Sequence, residues 1–379
     1  MKRGPRGEGS IYRRKNGRWV GQVQNDVGER FFVYGRTQAE VRARLTPIKR
    51  DLQQSVPPIT GTLKLGQYLN QWLVESAKPT VRDSTFVSYR AIVRNHLVPR
   101  MGTVKIAKLT PEMVERFLNE RLAAGFSPRR VQFFHAVLRR ALNRALKAGY
   151  VGRNVATLVD PPRVPHKEIQ PLTPSQARIL LVAARGDRLE ALISVALALG
   201  LRQGEALGLR WEDVDFESGL IHVRFELQRL EGQYRLVELK TRRSHRTVAM
   251  PPYIARKLRE HEARKREERI LLGPEWHESD FIFTSQVGRP LSGTYVTHAF
   301  QRLLKRAGLP KRRFYDLRHS CATLLLVQGV PARVVMEILG HSQIGLTMNT
   351  YTHVLPELGR DAASRMERFL SGNGKLSVS

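Results

Sequence analysis

Cysteine is almost absent: Cys321 is the only one in 379 residues. A single thiol cannot close a disulfide within the chain, and no Cys/His set has the spacing of a zinc site. A disulfide-stapled secreted scaffold and a zinc finger are excluded, and a cytoplasmic location is expected. Cys321 stands in the apolar stretch "CATLLLV", where a small buried side chain is expected. Long apolar runs are missing too. None approaches the ~18 residues that cross a bilayer, and no signal peptide opens the chain. Acidic residues are scarce, with 34 Asp+Glu against 64 Lys+Arg and a net charge of +30. Such an excess repels itself unless a polyanion neutralises it. The basic residues are spread over the whole chain, not gathered in one tail or one amphipathic helix. The expected partner is therefore double-stranded DNA or another nucleic acid, and not a membrane.

What remains is ordinary for a globular protein. Hydrophobic residues make up 41% of the chain, and the length suits two or three domains. Residues 1–50 carry 13 Lys+Arg and 4 Asp+Glu. Three short strands are expected there, at Ile11–Arg13, Trp19–Gln24 and Arg30–Tyr34, separated by Asn16-Gly17 and Asp26–Gly28. A helix follows, with Thr37 as N-cap and Glu40 completing a capping box. So small a sheet buries little. It either presents a strand face to a DNA groove or is a solvated basic appendage. "SVPPITG" reads as a linker, and residues 62–159 read as all helical. Two of those helices open with Thr-Pro or Ser-Pro, an N-cap followed by Pro. In the last, Val131, Phe134, Leu138, Leu142 and Ala145 form an apolar stripe. Arg140, Arg144 and Lys147 form a basic one, either solvated or facing DNA. "DPPRVPHKEIQP" is a second linker. Helices at about 174–185 and 187–199 precede "GLIHVRFELQRL", "YRLVELK" and "RTVAMP", which alternate as a three-stranded antiparallel meander would. Helices are expected again from about 252 to 367.

Three stretches carry side chains suited to phosphodiester chemistry. "ALGLRQGEALGLRWEDVD" sets Arg202 just past a Gly-ended helix, followed by Gly204 and Glu205. "FYDLRHSCATLLL" sets Tyr315, Arg318 and His319 at the head of an apolar helix. "LGHSQIGLTMNTYTHV" adds His341 and Tyr351. Taken singly, each has a bland reading: an arginine is usually on the surface, and a lone His or Tyr is usually structural. Attack on a phosphodiester needs a nucleophile, a clamp for the non-bridging oxygens and an acid for the leaving oxygen. Paired guanidiniums suit the clamp, because they stay charged and offer planar paired donors. A tyrosine oxygen can form a covalent phosphoester, but its unperturbed pKa of about 10 calls for a cationic surround or a nearby base. Lys240, at a hairpin tip in "ELKTRRSHRTV", suits a mobile proton donor, among other cations at Arg242, Arg243 and Arg246.

In order and spacing, these stretches together with "LKTRRSHRTVAMP" resemble the tyrosine recombinase (phage integrase) family over nearly the whole chain. The resemblance implies a multidomain, mainly α protein with small antiparallel β-sheets. Residues 1–56 would be an N-terminal arm-type DNA-binding domain, a three-stranded sheet plus helix. Residues 60–160 would be a helical, SAM-like core-binding domain, residues 165–370 an α+β catalytic domain, and 371–379 a flexible tail. Arg202 and Arg318 would clamp the scissile phosphate. Lys240 would protonate the departing 5′ oxygen, and His341 would support the clamp. Tyr351 would be the nucleophile, leaving a 3′-phosphotyrosyl link. Glu205 and His319 match accessory positions. Arg13, Arg14, Lys15, Arg18, Arg140, Arg144, Lys147, Arg242 and Arg243 are the expected DNA contacts. The phosphotyrosyl link conserves the bond energy, so rejoining needs neither metal nor nucleotide cofactor. That agrees with a sequence holding no P-loop and no carboxylate cluster of metal-site type. The implied assembly is a homotetramer on att-type core and arm sites, passing through a Holliday junction, with an excisionase or DNA-bending factor as a further partner.

One position departs from the family pattern. Tyr315 stands where a histidine is usual, three residues before the second arginine. A phenol shuttles protons poorly near neutral pH but still donates a hydrogen bond, so a supporting role is expected. Two other functions fit parts of the pattern. A type IB topoisomerase-like nicking-closing enzyme would use nearly the same chemistry. A DNA-binding regulator with a decayed site would keep only the charge.

Overall fold

The computed structural model describes residues 9–14, 16–24, 30–53, 63–165, 170–239 and 244–340, with positions 363, 364, 366, 367, 370 and 371 beyond. The chain divides into two compact units, Met1–His166 and Lys167–Ser379.

The first unit opens with β1 (Ser10–Arg13), β2 (Trp19–Gln24) and β3 (Arg30–Gly35), an antiparallel sheet in that order. Gly17, at φ 79°, supplies the left-handed residue of the first turn, where Arg14 N–H donates to Arg18 O at 2.8 Å. Helix α1 (Gln38–Gln53) covers one face of the sheet. Gly21 lets it come close, since a Cβ there would lie 2.7 Å from Val41 Cγ1. Thr37 Oγ1 accepts from Glu40 N–H at 3.1 Å, as expected of the N-cap. The Glu40 carboxylate also takes Arg36 N–H, at 2.9 Å. Gly21 pairs with Val33, so Tyr12, Val20 and Tyr34 form a row on the opposite face, with Phe32 beside it. Tyr12, Phe32 and Tyr34 are exposed there.

The α-helices of this unit that follow are α2 (Leu65–Trp72), α3 (Asp83–Ile92), α4 (Val98–Met101), α5 (Pro111–Ala123) and α6 (Pro128–Lys147). Thr110 and Ser127 cap α5 and α6, each followed by Pro at the first helical position. One feature departs from a plain helical reading: α2 and α3 each run into a π-turn, at Leu73–Ala77 and Val93–Leu97. The buried positions explain it. Leu65, Leu69, Leu73 and Ala77 recur every fourth residue, as do Tyr89, Val93, Leu97 and Met101. An α-helix turns that stripe away by about 40° per step, and one wider turn brings it back to the core. The apolar stripe of α6 (Val131, Phe134, Leu138, Leu142, Ala145) is buried as expected. Asn154 ties the end of the unit to α6. Its Nδ2 donates to Arg139 O at 2.9 Å and Asn143 Oδ1 at 2.7 Å, and its Oδ1 accepts from Ala156 N–H at 3.0 Å.

The second unit is built around α8 (Glu190–Leu199), in which every residue but Ala198 is buried. Around it stand α7 (Pro174–Ala183), the short α9 (Gln203–Leu207), α10 (Pro252–Leu272), α11 (Gly293–Arg306), α12 (Asp316–Val327) and α13 (Ala332–Leu339). The β segment is not one meander. Its first stretch breaks at Arg224 into β5 (Leu220–Val223) and β6 (Phe225–Leu230). Arg224 turns out of the ladder to the buried Asp213, with Nε 2.9 Å from Oδ1. β5 pairs with β4 (Val214–Asp215) and β8 (Arg246–Ala249), while β6 pairs with β7 (Gln233–Glu238) as a separate hairpin. No described helix is long and apolar enough to cross a membrane.

Asn154→Ala leaves the buried Ala156 N–H unpaired and removes both bonds to α6. It should lower the opening free energy of α6 amides in native-state hydrogen exchange by about 2 kcal/mol. Unchanged protection would show that water replaces the amide at no cost.

Candidate active site

Two glycines set the geometry. Gly200 ends α8 at φ 60° and Gly340 ends α13 at φ 66°, both left-handed. The first is followed two residues later by Arg202, the second immediately by His341. Gly200 is also needed for space, because a Cβ there would collide with Leu339 Cδ2. The two helix ends therefore meet, and each leaves carbonyls with no partner in its own helix.

Arg318, on the first turn of α12, fills that junction. It is wholly buried, the largest such side chain among the described residues. Its Nη1 donates to Gly200 O at 2.8 Å and its Nη2 to Leu339 O at 2.5 Å. A cation at the negative ends of two helices is favourable, which makes so complete a burial tolerable. Burial, and then the neighbouring Arg202 charge, pull its pKa down to about 10, so it stays charged at neutral pH. Its Nε has no hydrogen-bond partner among the described residues.

Arg202 is the N-cap of α9. Glu205, fully buried one turn on, accepts from Arg202 N–H at 3.0 Å and pairs with the Arg202 guanidinium. Glu205 also binds Arg246 Nη2 at 2.9 Å. Burial alone would raise its pKa. The Arg246 charge and hydrogen bond, then Arg202, outweigh that and bring it to about 2. Arg246 was legible in the sequence only as one more hairpin cation. In the structure it lies on the face of β8 that also carries the buried Val248, opposite Val223. Two guanidiniums thus share one carboxylate, with the Arg318 charge close to both. The cluster keeps a net positive charge, and Arg202 is its partly exposed member, with a third of its side chain accessible.

His319 is buried and packs edge-on against Tyr315, with ring centroids 5.1 Å apart. Burial is the main influence on its pKa. The nearby Asp316 opposes it and the Arg318 charge adds to it, bringing the value to about 4. The imidazole is neutral at pH 7. Tyr315 is exposed, at the head of α12. Lys240, Arg242, Arg243, His341, Tyr351 and Lys15 lie outside the described residues. Arg13, Arg14 and Arg18 are exposed at the β1–β2 turn, with Arg14 over the Tyr34 ring at 5.7 Å. Arg140, Arg144 and Lys147 are exposed on α6, with Arg140 over the Tyr89 ring at 5.7 Å.

Comparisons with known proteins bear on the same segments. Residues 170–357 match the phage integrase family, and residues 64–122 match the phage integrase N-terminal SAM-like domain. A tyrosine recombinase XerC-like protein of Caldanaerobacter subterraneus is 31% identical over 366 residues, covering 92% of this chain and 94% of that one. The fold is that of the Tn1549 transposon integrase solved with transposon right-end DNA. That match has TM-score 0.68 and 23% identity, over 80% of this chain and 99% of that one. A lambda integrase tetramer bound to a Holliday junction matches with TM-score 0.57 and 18% identity, over 88% of this chain and 95% of that one. With a buried arginine splint, a cationic cluster and a relative that is similar along almost its full length, the chain belongs to the phage integrase family of site-specific tyrosine recombinases.

Proposed function

We propose that this recombinase cuts and rejoins DNA at att-type sites of a mobile element, with Tyr351 as nucleophile. The observation that carries the reading is the grouping of three cations, Arg202, Arg246 and Arg318, around one carboxylate, Glu205, which pairs with the first two alone. Such a site lacks an anion, and a phosphodiester supplies one. The Tyr351 oxygen attacks phosphorus, its proton leaves to a neighbouring base, and a 3′-phosphotyrosyl bond replaces the bond to the 5′ oxygen. Lys240 gives that oxygen its proton. The reverse attack by a 5′-hydroxyl restores the phosphodiester and frees the tyrosine.

Arg202 meets the phosphate directly through its accessible guanidinium. Arg318, buried beside it, adds its positive charge to the clamp. His341 follows that turn and supports the clamp. The chain works as a homotetramer, as the lambda integrase does on its Holliday junction. An excisionase or bending protein sets the direction, and the reaction takes place in the cytoplasm.

The exposed aromatic row of the N-terminal sheet, flanked by Arg14 and Arg18, is the arm-site reader. A strand face of this size fits a major groove. Arg140, Arg144 and Lys147 on α6 hold the core-site backbone.

Tyr351→Phe should abolish the covalent DNA adduct on a nicked suicide substrate while leaving DNA affinity unchanged. Tyr315→Phe should slow adduct formation only by a few-fold. An adduct retained in the first variant and lost in the second would reassign the nucleophile. If the wild-type chain forms none, the decayed-regulator reading stands instead. A second expectation concerns the arm site. Arg14→Ala with Arg18→Ala should reduce the salt slope of arm-site binding by about two, one for each lost phosphate contact, and leave core-site binding unchanged. An unchanged slope would remove these residues from the interface.

A further inference from the structure

We infer that Arg246 is a positioning residue for strand cleavage, tying together the three segments that bear the proposed catalytic groups. The inference rests on the recombinase reading above. Arg246 opens β8, directly after the segment that holds Lys240. Its side chain is almost fully buried and makes three separate attachments. Nη2 donates to Glu205 Oε2 at 2.9 Å, and Glu205 in turn holds both the amide and the guanidinium of Arg202. Nη1 donates to Ser244 O at 3.1 Å, fixing the return of the chain from the Lys240 segment. Nε donates to Ile338 O at 2.7 Å, in the last turn of α13, three residues before His341.

The last attachment stands beside one made by another arginine. Arg318 Nη2 holds Leu339 O, the next carbonyl along. Two adjacent carbonyls at one helix end are thus held by two buried cations from different elements. Rotating or fraying that turn would break both bonds and strand both guanidiniums. The end of α13 is therefore fixed in direction, and so is the point from which the chain sets out toward His341 and Tyr351.

Lysine cannot replace this. A single ammonium can pair with Glu205, but it cannot present donors at once toward a carboxylate and two carbonyls on different elements. Loss of the fork should leave the DNA-contacting surface intact and misplace the reacting groups. A displacement of about 1 Å can slow a reaction about 100-fold.

The test compares Arg246→Met and Arg246→Lys with the wild-type full chain by two readouts. The first is hydrogen exchange of Val335–Gly340 amides in the free protein, with α10 amides as internal reference. The second is covalent adduct formation on a nicked duplex at saturating DNA, with Kd measured separately. In Arg246→Met, protection at the end of α13 should fall about tenfold while α10 stays unchanged. Adduct formation should slow about 100-fold, with Kd within about twofold. Arg246→Lys should fall between this variant and wild type. Arg246→Met combined with Glu205→Gln should be no slower than the worse single variant, because the two act as one unit. Unchanged protection in α13 overturns the tie, whatever the activity. A slowing that follows weaker DNA binding, or equal loss of protection in α10, shows a merely structural residue. If the wild type forms no adduct, the recombinase reading fails, and the exchange readout still decides whether Arg246 holds the helix end.

Discussion

A buried guanidinium at the meeting of two helix ends is the constraint on which the catalytic unit depends. Arg318 has no solvent access and, among the described residues, no carboxylate bonded to it. Its charge is held by the carbonyls of Gly200 and Leu339, the negative ends of α8 and α13. That arrangement requires each helix to stop at the junction, which the left-handed Gly200 and Gly340 enforce. It also requires the two ends to touch, which only a residue without Cβ at position 200 permits. Stopping the helices there sends the chain off toward Arg202 on one side and His341 on the other. The residues that hold the core together and Arg202, proposed to meet the phosphate, are thus linked through one junction.

The same constraint explains the charge of the site. A lone carboxylate, Glu205, is shared between Arg202 and Arg246, while Arg318 relies on dipoles. Full neutralisation by acidic residues would give a stable but closed cluster. The unbalanced cluster keeps a demand for an anion, and Arg202 carries that demand to the surface. The basic surface elsewhere, on the N-terminal sheet and on α6, belongs to the first unit. It suits a long polyanion gripped at several places rather than a small anion bound once.

Much of this was legible in the sequence, for physical reasons that differ from residue to residue. Arg202 could be placed because it follows a Gly-ended helix, and the family resemblance supplied its expected role and that of Glu205. The caps at Thr110 and Ser127 could be read because Pro at the first helical position marks a start. The π-turns could not, since a four-residue apolar repeat looks like an ordinary helix until it is followed through several turns. The strand break at Arg224 was hidden because its cause, the buried Asp213, lies 11 positions away. Arg246 was lost among neighbouring cations. The available signal was alternation: it shares a strand face with Val248, so it had to point inward. Its partners at Glu205 and Ile338 are 41 and 92 positions away and needed the fold to be seen.

Substitutions of Arg318 would mix folding with chemistry, because its removal orphans two buried carbonyls. Arg202 is the cleaner probe of the account's central claim, that the cluster neutralises a phosphate. The direct measurement is adduct formation by Arg202→Ala on two duplexes, one with an ordinary scissile phosphodiester and one with a neutral methylphosphonate there. On the ordinary duplex the variant should be slower than wild type by about 10²–10³. On the methylphosphonate, which brings no charge to neutralise, most of that deficit should disappear. An equal deficit on both substrates would contradict the account.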